Sequence, residues 1–478
     1  MPVLSRTEDP VPQSRCRFAL ATADITPPAD IYHRMWGAAK HEQATGVHRP
    51  LRATVAIFAP LEGDGRQVLV ALDHCVMGAT EHRNLVSTIA DIGGVAAEEI
   101  LVVFSHTHGA GLMGLDRADL PGGEHIPPYL DRLGETAGML VKEGLNSLVP
   151  SGIVYGQGRC GLATHRDFWD GNQWVCGHNP GVPVDDTVVV ARISNEAGTT
   201  LATVVNYACH PTTLAWDNTL ISPDYPGAMR ELVERETGAP CLFLQGASGE
   251  LGPREGFVGD PAVADRNGRE LGHAALSTLT SLPMAGTKFV YAGPVVSGAT
   301  LGSWHHVPLS PEERTASASW RRERWDEPLP YRPAQPTVAE TKEALEGLQT
   351  EEAKARASGD ESRAAELRAL AERKSRLLHR LLELPQGDHY PLQVAVWEIG
   401  DAAWIGVQGE SYSLLQTELR RRFPDKTLII ASIAADWGSS YLPPRGLYDT
   451  GIYQESIAVV AAGSLEQLID SIASRLSP

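Results

Sequence analysis

Several things are scarce in this 478-residue chain, and each scarcity excludes a class of protein. Cysteine is sparse: six residues, at 16, 75, 160, 176, 209 and 241, scattered with no Cys-x-x-Cys pair. That spacing supports neither a zinc ribbon nor a dense disulfide framework. Basic charge is short, 41 Lys and Arg against 59 Asp and Glu, for a net charge of −18. A nucleic-acid footprint needs a clustered basic surface, so no nucleic-acid partner is expected. No run approaches the ~18 apolar residues of a membrane span. The first 13 residues are polar and proline-containing, without the apolar core of a secretion signal. The expectation is a cytoplasmic protein without a membrane anchor. No internal repeat is visible.

What is present is a series of short apolar, β-branched runs alternating with helical spacing. Residues 55–58, 67–72, 100–104, 153–155, 188–193, 201–208, 241–244, 392–399, 404–407 and 428–433 read as strands. Residues 80–93, 127–149, 226–237, 263–281 and 456–473 carry helical periodicity. Residues 1–16 read as a loose arm and 160–186 as a long functional loop. From 309 to 386 the composition shifts to Ala, Glu, Leu, Lys and Arg, and 337–358 and 361–384 read as a charged helical hairpin. The fold expected is α/β: a mixed, largely parallel sheet with flanking helices, one catalytic domain over 1–478, and an inserted hairpin at 309–386. That hairpin is suited to cover a cleft or to mediate self-association into a homo-oligomer.

Four strand ends carry ligand-type residues: His106 and His108, His210, Glu410 and Tyr441. Open α/β sheets collect ligands beyond the carboxyl ends of their strands, which makes convergence of these loops reasonable. Two imidazoles and a carboxylate form a catalytic zinc set that leaves a position open for water. The competing reading of each scattered histidine is a structural one. Gly246-Ala-Ser248-Gly249 after a strand offers a second chemistry, a serine hydrolase, although Gly-x-Ser-x-Gly is broken by Glu250. A His-x-His-x-Asp-His metallo-β-lactamase site is not met, because Gly109-Ala110-Gly111 follows His108. Asp73-His74 is a candidate for orienting a ligand or for capping a strand, and Asp224 for an N-cap. Trp169, Trp174, His165 and His178 either line a pocket or pack their loop.

The order of motifs resembles the catalytic domain of the neutral ceramidases, zinc-dependent amidases. The resemblance rests on Ala23-Asp24-Ile25-Thr26, His106-Thr107-His108, His210-Pro211-Thr212, Ile221 to Gly227, the Gln245 to Pro253 loop, Gly409-Glu410 and the Tyr441 loop. It implies one Zn²⁺ per chain held by His106, His210, Glu410 and Tyr441. It implies His108 as hydrogen-bond donor or proton carrier and Arg166 as a polar clamp on substrate. The family's Ser before Pro is Gly252 here, so Ser248 or Glu250 is a candidate to supply the missing group at the substrate. The chain ends before the family's C-terminal β-sandwich, and the expected substrate is a small soluble amide or ester rather than a membrane lipid. The alternatives are the Ser248 hydrolase and a degenerate binding protein on the same scaffold.

Overall fold

The computed structural model describes residues 7–333 and 335–476. Its centre is a twelve-stranded mixed sheet. Only three of the eleven neighbouring pairs in that sheet are parallel, so the largely parallel sheet expected from the sequence is corrected to a mostly antiparallel one. The cause is connection length. Tight turns such as 195–198, between Thr187–Asn195 and Thr200–Tyr207, can only return a strand antiparallel. Three neighbouring pairs are joined through a single helix, and these are the three parallel ones, whereas the two-helix connection from Trp320–Pro330 to His389–Ile399 returns the strand antiparallel. Gln67–Leu72 and Ile100–Phe104 are linked through the helix Ala79–Gly93. Thr200–Tyr207 and Cys241–Gln245 are linked through Tyr225–Thr237. Ala402–Gln408 and Thr427–Ala434 are linked through Leu414–Arg422.

The sheet curls back on itself. Its inner face makes one core, where Val204, Leu242 and Leu244 from one end pack with Leu101, Val103, Trp404 and Ile429 from the other. A polar clasp closes the two halves: Asn206 Nδ2 donates to Ile430 O at 2.8 Å, and Ile430 N donates to Asn206 Oδ1 at 3.1 Å. The outer face is covered by helices in three places, each with its own apolar cluster. Helix Ile126–Asn146 shows why: Tyr129, Leu133, Ala137, Leu140 and Val141 form its buried stripe.

Three sequence readings change here. The arm expected over 1–16 lies outside the described residues for 1–6, and from Gln13 it is the strand Gln13–Asp24 between two partners. The 160–186 loop contains the hairpin Ala163–Trp169 and Trp174–Asn179, which joins Leu251–Pro253 in a small sheet. Within 309–386, a short helix Pro311–Ala316 leads into Trp320–Pro330, the edge strand of the main sheet, and the paired helices are Val338–Ala357 and Glu361–Glu383. They turn at Gly359 (φ 79°) and pack through Leu348, Ala355, Ala364 and Leu367. No helix among the described residues is long and apolar enough to cross a membrane.

Candidate metal centre and the cleft above it

Each β-α-β unit delivers its polar residues just past the carboxyl ends of its strands, and the curl of the sheet brings the three ends together. Backbone hydrogen bonds stitch the loops. His108 N donates to Pro211 O, His210 N to Leu251 O, Arg166 N to Glu250 O, Gly249 N to Ser411 O, and Glu410 N to Ser440 O. Glu410 and Tyr441 face each other as a cross-strand pair. His106 sits at φ 66°, a left-handed conformation that costs a non-glycine residue about 1 kcal/mol or more. The ring of His106 is held by its Nδ1, 2.8 Å from Cys75 O.

His106, His210 and Glu410 are at most 2% exposed, and their ligand-type atoms all lie within 4.8 Å of one another. His210 Nδ1 lies 2.7 Å from Ser248 O, as His106 Nδ1 does from Cys75 O. A carbonyl can only accept, so each ring carries its proton on Nδ1 and turns a bare Nε2 lone pair inward. Those lone pairs face Glu410 Oε2 at 2.9 Å from His210 and 3.3 Å from His106. Three acceptors cannot converge on one point without a cation or a proton among them. The site attracts positive charge accordingly. Burial opposes charging His106, yet Cys75 and Glu410 beside it raise the ring well above its ordinary value. Burial also opposes ionising Glu410, and the two histidines nevertheless hold it well below the carboxylate range. Burial takes His210 down to about 3, so it is neutral at pH 7. The donor set fits a divalent ion, with Nδ1 pinned on both rings as metal-ligand histidines require.

Around this trio the expected residues arrange themselves unequally. Tyr441 Oη is 3.2 Å from His210 Nε2 and accepts from Arg166 Nη2 at 2.9 Å. Burial raises the Tyr441 hydroxyl well above its usual value, against the pull of Arg166. Arg166 also donates to Gly249 O at 2.6 Å and stays charged despite burial. His108 stands against Trp36, ring centres 5.1 Å apart, with its Nε2 buried and unpartnered. Burial and the neighbouring His106 and His210 keep it well below its ordinary value, hence neutral.

Ser248, Glu250 and Gly252, the candidates for the missing substrate contact, have these surroundings. Ser248 Oγ lies 3.3 Å from His210 Nδ1, a triad-like connection, but it accepts from Gln245 Nε2 at 2.6 Å. It is 1% exposed and lines none of the cavities that reach the trio. Glu250, pushed up to about 7 by burial, anchors the backbone N and hydroxyl of Ser413. A Cβ added at Gly252 would lie 3.7 Å from Arg166 Cδ and 3.8 Å from Thr212 Oγ1. Thr212 Oγ1 is buried and unpartnered, so a hydroxyl already stands beside that position.

The remaining sequence candidates have the following partners. Asp73 forms a buried two-pronged pair with Arg230 and caps Arg52 N at 2.9 Å. Breaking that pair by Arg230→Met strands a buried carboxylate, and chemical denaturation should show a loss of about 3–5 kcal/mol. His74 bonds Tyr129 at 2.5 Å. Asp224 is the N-cap expected for Tyr225–Thr237, and it also accepts from Leu214 N at 2.8 Å. Trp169 and Trp174 pack against each other on the surface. His178 bonds Thr164, and His165 lies beside Asp167.

Sequence reasoning missed Trp437, whose Nε1 donates to Glu410 Oε1 at 2.5 Å and orients the carboxylate. A tryptophan three residues past a strand end carries no ligand signature. Trp437→Phe should weaken metal affinity about 10–100-fold, measured by chelator competition, while leaving the fold intact.

Two cavities open onto the site. One of about 310 Å³ is lined by His106, His108, Glu410, Trp437 and Tyr441 and by the apolar Met77, Leu112 and Met113. The other, about 940 Å³, is lined by Trp36, Arg166, Thr212, Phe257 and Tyr441. Helix Glu361–Glu383 roofs both through Arg376 and Arg380.

A curled mixed sheet with three such β-α-β units places the chain in the fold of the neutral ceramidases. The crystal structure of neutral ceramidase from Pseudomonas aeruginosa matches over 98% of this chain and 76% of its own, with TM-score 0.66 and 17% identity. A ceramidase complexed with C2 matches over 97% and 74%, with TM-score 0.63 and 15% identity. No protein-family model matches the sequence, and no curated protein does.

Proposed function

We propose that the protein is a metal-dependent hydrolase that cleaves an amide or ester bond in a small substrate. The reading assigns one zinc ion to His106, His210 and Glu410, with Tyr441 Oη as fourth donor. The observation that carries it is the inward convergence of two imidazole lone pairs on one carboxylate oxygen, both rings being pinned through Nδ1. Two structures of the same fold are named as ceramidases, which act on an amide, and this supports the choice of reaction.

When bound, a divalent ion supplies an acidified water and polarises the scissile carbonyl. The chain's own groups do the rest. His108, neutral and with a free Nε2 at the cavity wall, takes the proton from the attacking water and returns it to the leaving group. Arg166, fixed by Gly249 O and Tyr441, presents positive charge to the oxygen on which negative charge develops. Trp36 and Phe257 wall the larger cavity and exclude water on that side.

Elemental analysis of the purified protein tests the reading, with an N-acyl and ester substrate panel run with and without chelator. About one zinc per chain and turnover abolished by chelator are expected. Metal-free protein with full turnover refutes it, and bound metal without turnover on any amide or ester identifies a binding protein instead.

A further inference from the structure

One cation in the cleft forms no ion pair among the described residues, although Glu410 acts on it from a distance. Arg380, on the helix Glu361–Glu383, is 6% exposed, and its Nε and Nη1 are buried without a hydrogen-bond partner. Its guanidinium carbon lies 5.1 Å from the ring centre of Trp437, an interaction that occupies one face of the group and none of its N–H donors. Two neighbouring cations have a carboxylate partner. Arg117 and Arg376 both bind Glu372 at 2.9 Å. The nearby Glu383 is engaged by Ala79 N and Thr80 N at 3.0 and 3.1 Å, and by His379. Burial lowers Arg380 to about 10, so it remains charged at neutral pH. A desolvated guanidinium without an anion is costly to hold, and in a chain with 59 acidic residues it does not arise from a shortage of partners.

The position of Arg380 says what would satisfy it. It lines both cavities, together with Trp437 and Tyr441. Trp437 carries Arg380 on its ring and donates from Nε1 to Glu410, so one indole separates the unpaired cation from the candidate metal ligand. A planar fork with free N–H donors matches a carboxylate in two-pronged geometry. One such fork is enough for a carboxylate, whereas Arg376, one turn away on the same helix, is already paired and adds no free donor for a more highly charged anion.

We propose that Arg380 binds a carboxylate on the substrate, so that the bond cleaved belongs to an acylated small acid of the N-acyl amino acid type, with the carboxylate a short spacer from the scissile carbonyl. The inference rests on the hydrolase reading above and names its substrate class. Met77, Leu112 and Met113 give the apolar side of the same cavity to the acyl group or side chain.

The test uses matched pairs of acid and primary amide: N-acetyl-L-methionine and N-octanoylglycine, each beside its carboxamide. Binding to the metal-loaded protein is measured by calorimetry, and hydrolysis by amine release. In at least one pair the acid should bind about 10–100-fold tighter than the amide, the worth of a charge-assisted hydrogen-bonded pair. Arg380→Met should abolish that preference while keeping metal content, and Arg380→Lys should restore part of it. The thermal midpoint of ligand-free Arg380→Met should equal or exceed that of the wild type, because a frustrated charge has gone. Equal affinity within every pair, no binding of any acid, or a preference that survives in Arg380→Met overturns the proposal. A lowered midpoint with unchanged preference marks Arg380 as a structural strut and also overturns it. Amides hydrolysed without acid preference sink this inference alone, whereas acid-selective binding with no hydrolysis of any amide or ester sinks the hydrolase reading and leaves the anion site standing.

Discussion

Replacing His210 by alanine is expected to empty the metal centre and lower kcat/KM by about a thousandfold or more. The magnitude follows from the several kcal/mol of transition-state charge stabilisation that a catalytic ion provides, at about 1.4 kcal/mol per factor of ten. His210 is fully buried, and its Nε2 lies 2.9 Å from Glu410 Oε2. The variant should therefore lose metal in elemental analysis, and its melting temperature should no longer rise on adding zinc, as ligand linkage requires of a protein that binds the ion only when folded. Zinc-dependent stabilisation persisting in His210→Ala would place the ion elsewhere. His106 gives the same loss of metal with an additional signature. Because its φ of 66° suits glycine, His106→Gly should be about 1 kcal/mol more stable than His106→Ala, although both are equally inactive.

The second large effect is at Arg166. Arg166→Met should retain stoichiometric metal yet lose about 10²–10³ in kcat, the usual result of removing one donor to a developing oxyanion. The side chain makes no contact with His106 or Glu410 that would hold the ion. Its two partners are Gly249 O and Tyr441 Oη. Loss of metal along with activity would show instead that Arg166 acts by positioning Tyr441. Arg166→Lys should recover little, because a single ammonium cannot serve both partners in the geometry of the fork.

The roof helix illustrates how far local signals reach. Its alternating charges, its start just after the turn at Gly359 and its Ala- and Leu-rich composition make Glu361–Glu383 legible as a helix. That Arg380 would be turned inward onto Trp437, in no ion pair among the described residues, is not written in that spacing. Neighbouring arginines on the same helix have the same composition and opposite fates: Arg376 is paired with Glu372 and Arg380 is not. Trp437 is the same lesson in reverse, an apolar residue by type that acts through one N–H. A largely parallel sheet is the wrong expectation because β-branched runs look alike in either direction, and the crossover between neighbouring strands, a tight turn, one helix or a helical pair, decides between them.

By itself the sequence determined which residues stand at the ends of strands. Apolar runs stop abruptly at Phe104, Tyr207, Gln408 and Ala434, and the polar residues that follow have nowhere to go but the loops beyond the sheet. The tertiary structure alone decided that these four ends meet. The sheet curls until Asn206 reaches Ile430 across its core, and that closure brings residues two hundred positions apart to hydrogen-bond distance. Periodicity is local and reports each strand separately, whereas the curl arises from twist summed over twelve strands and from helices packed outside them, which no single stretch encodes.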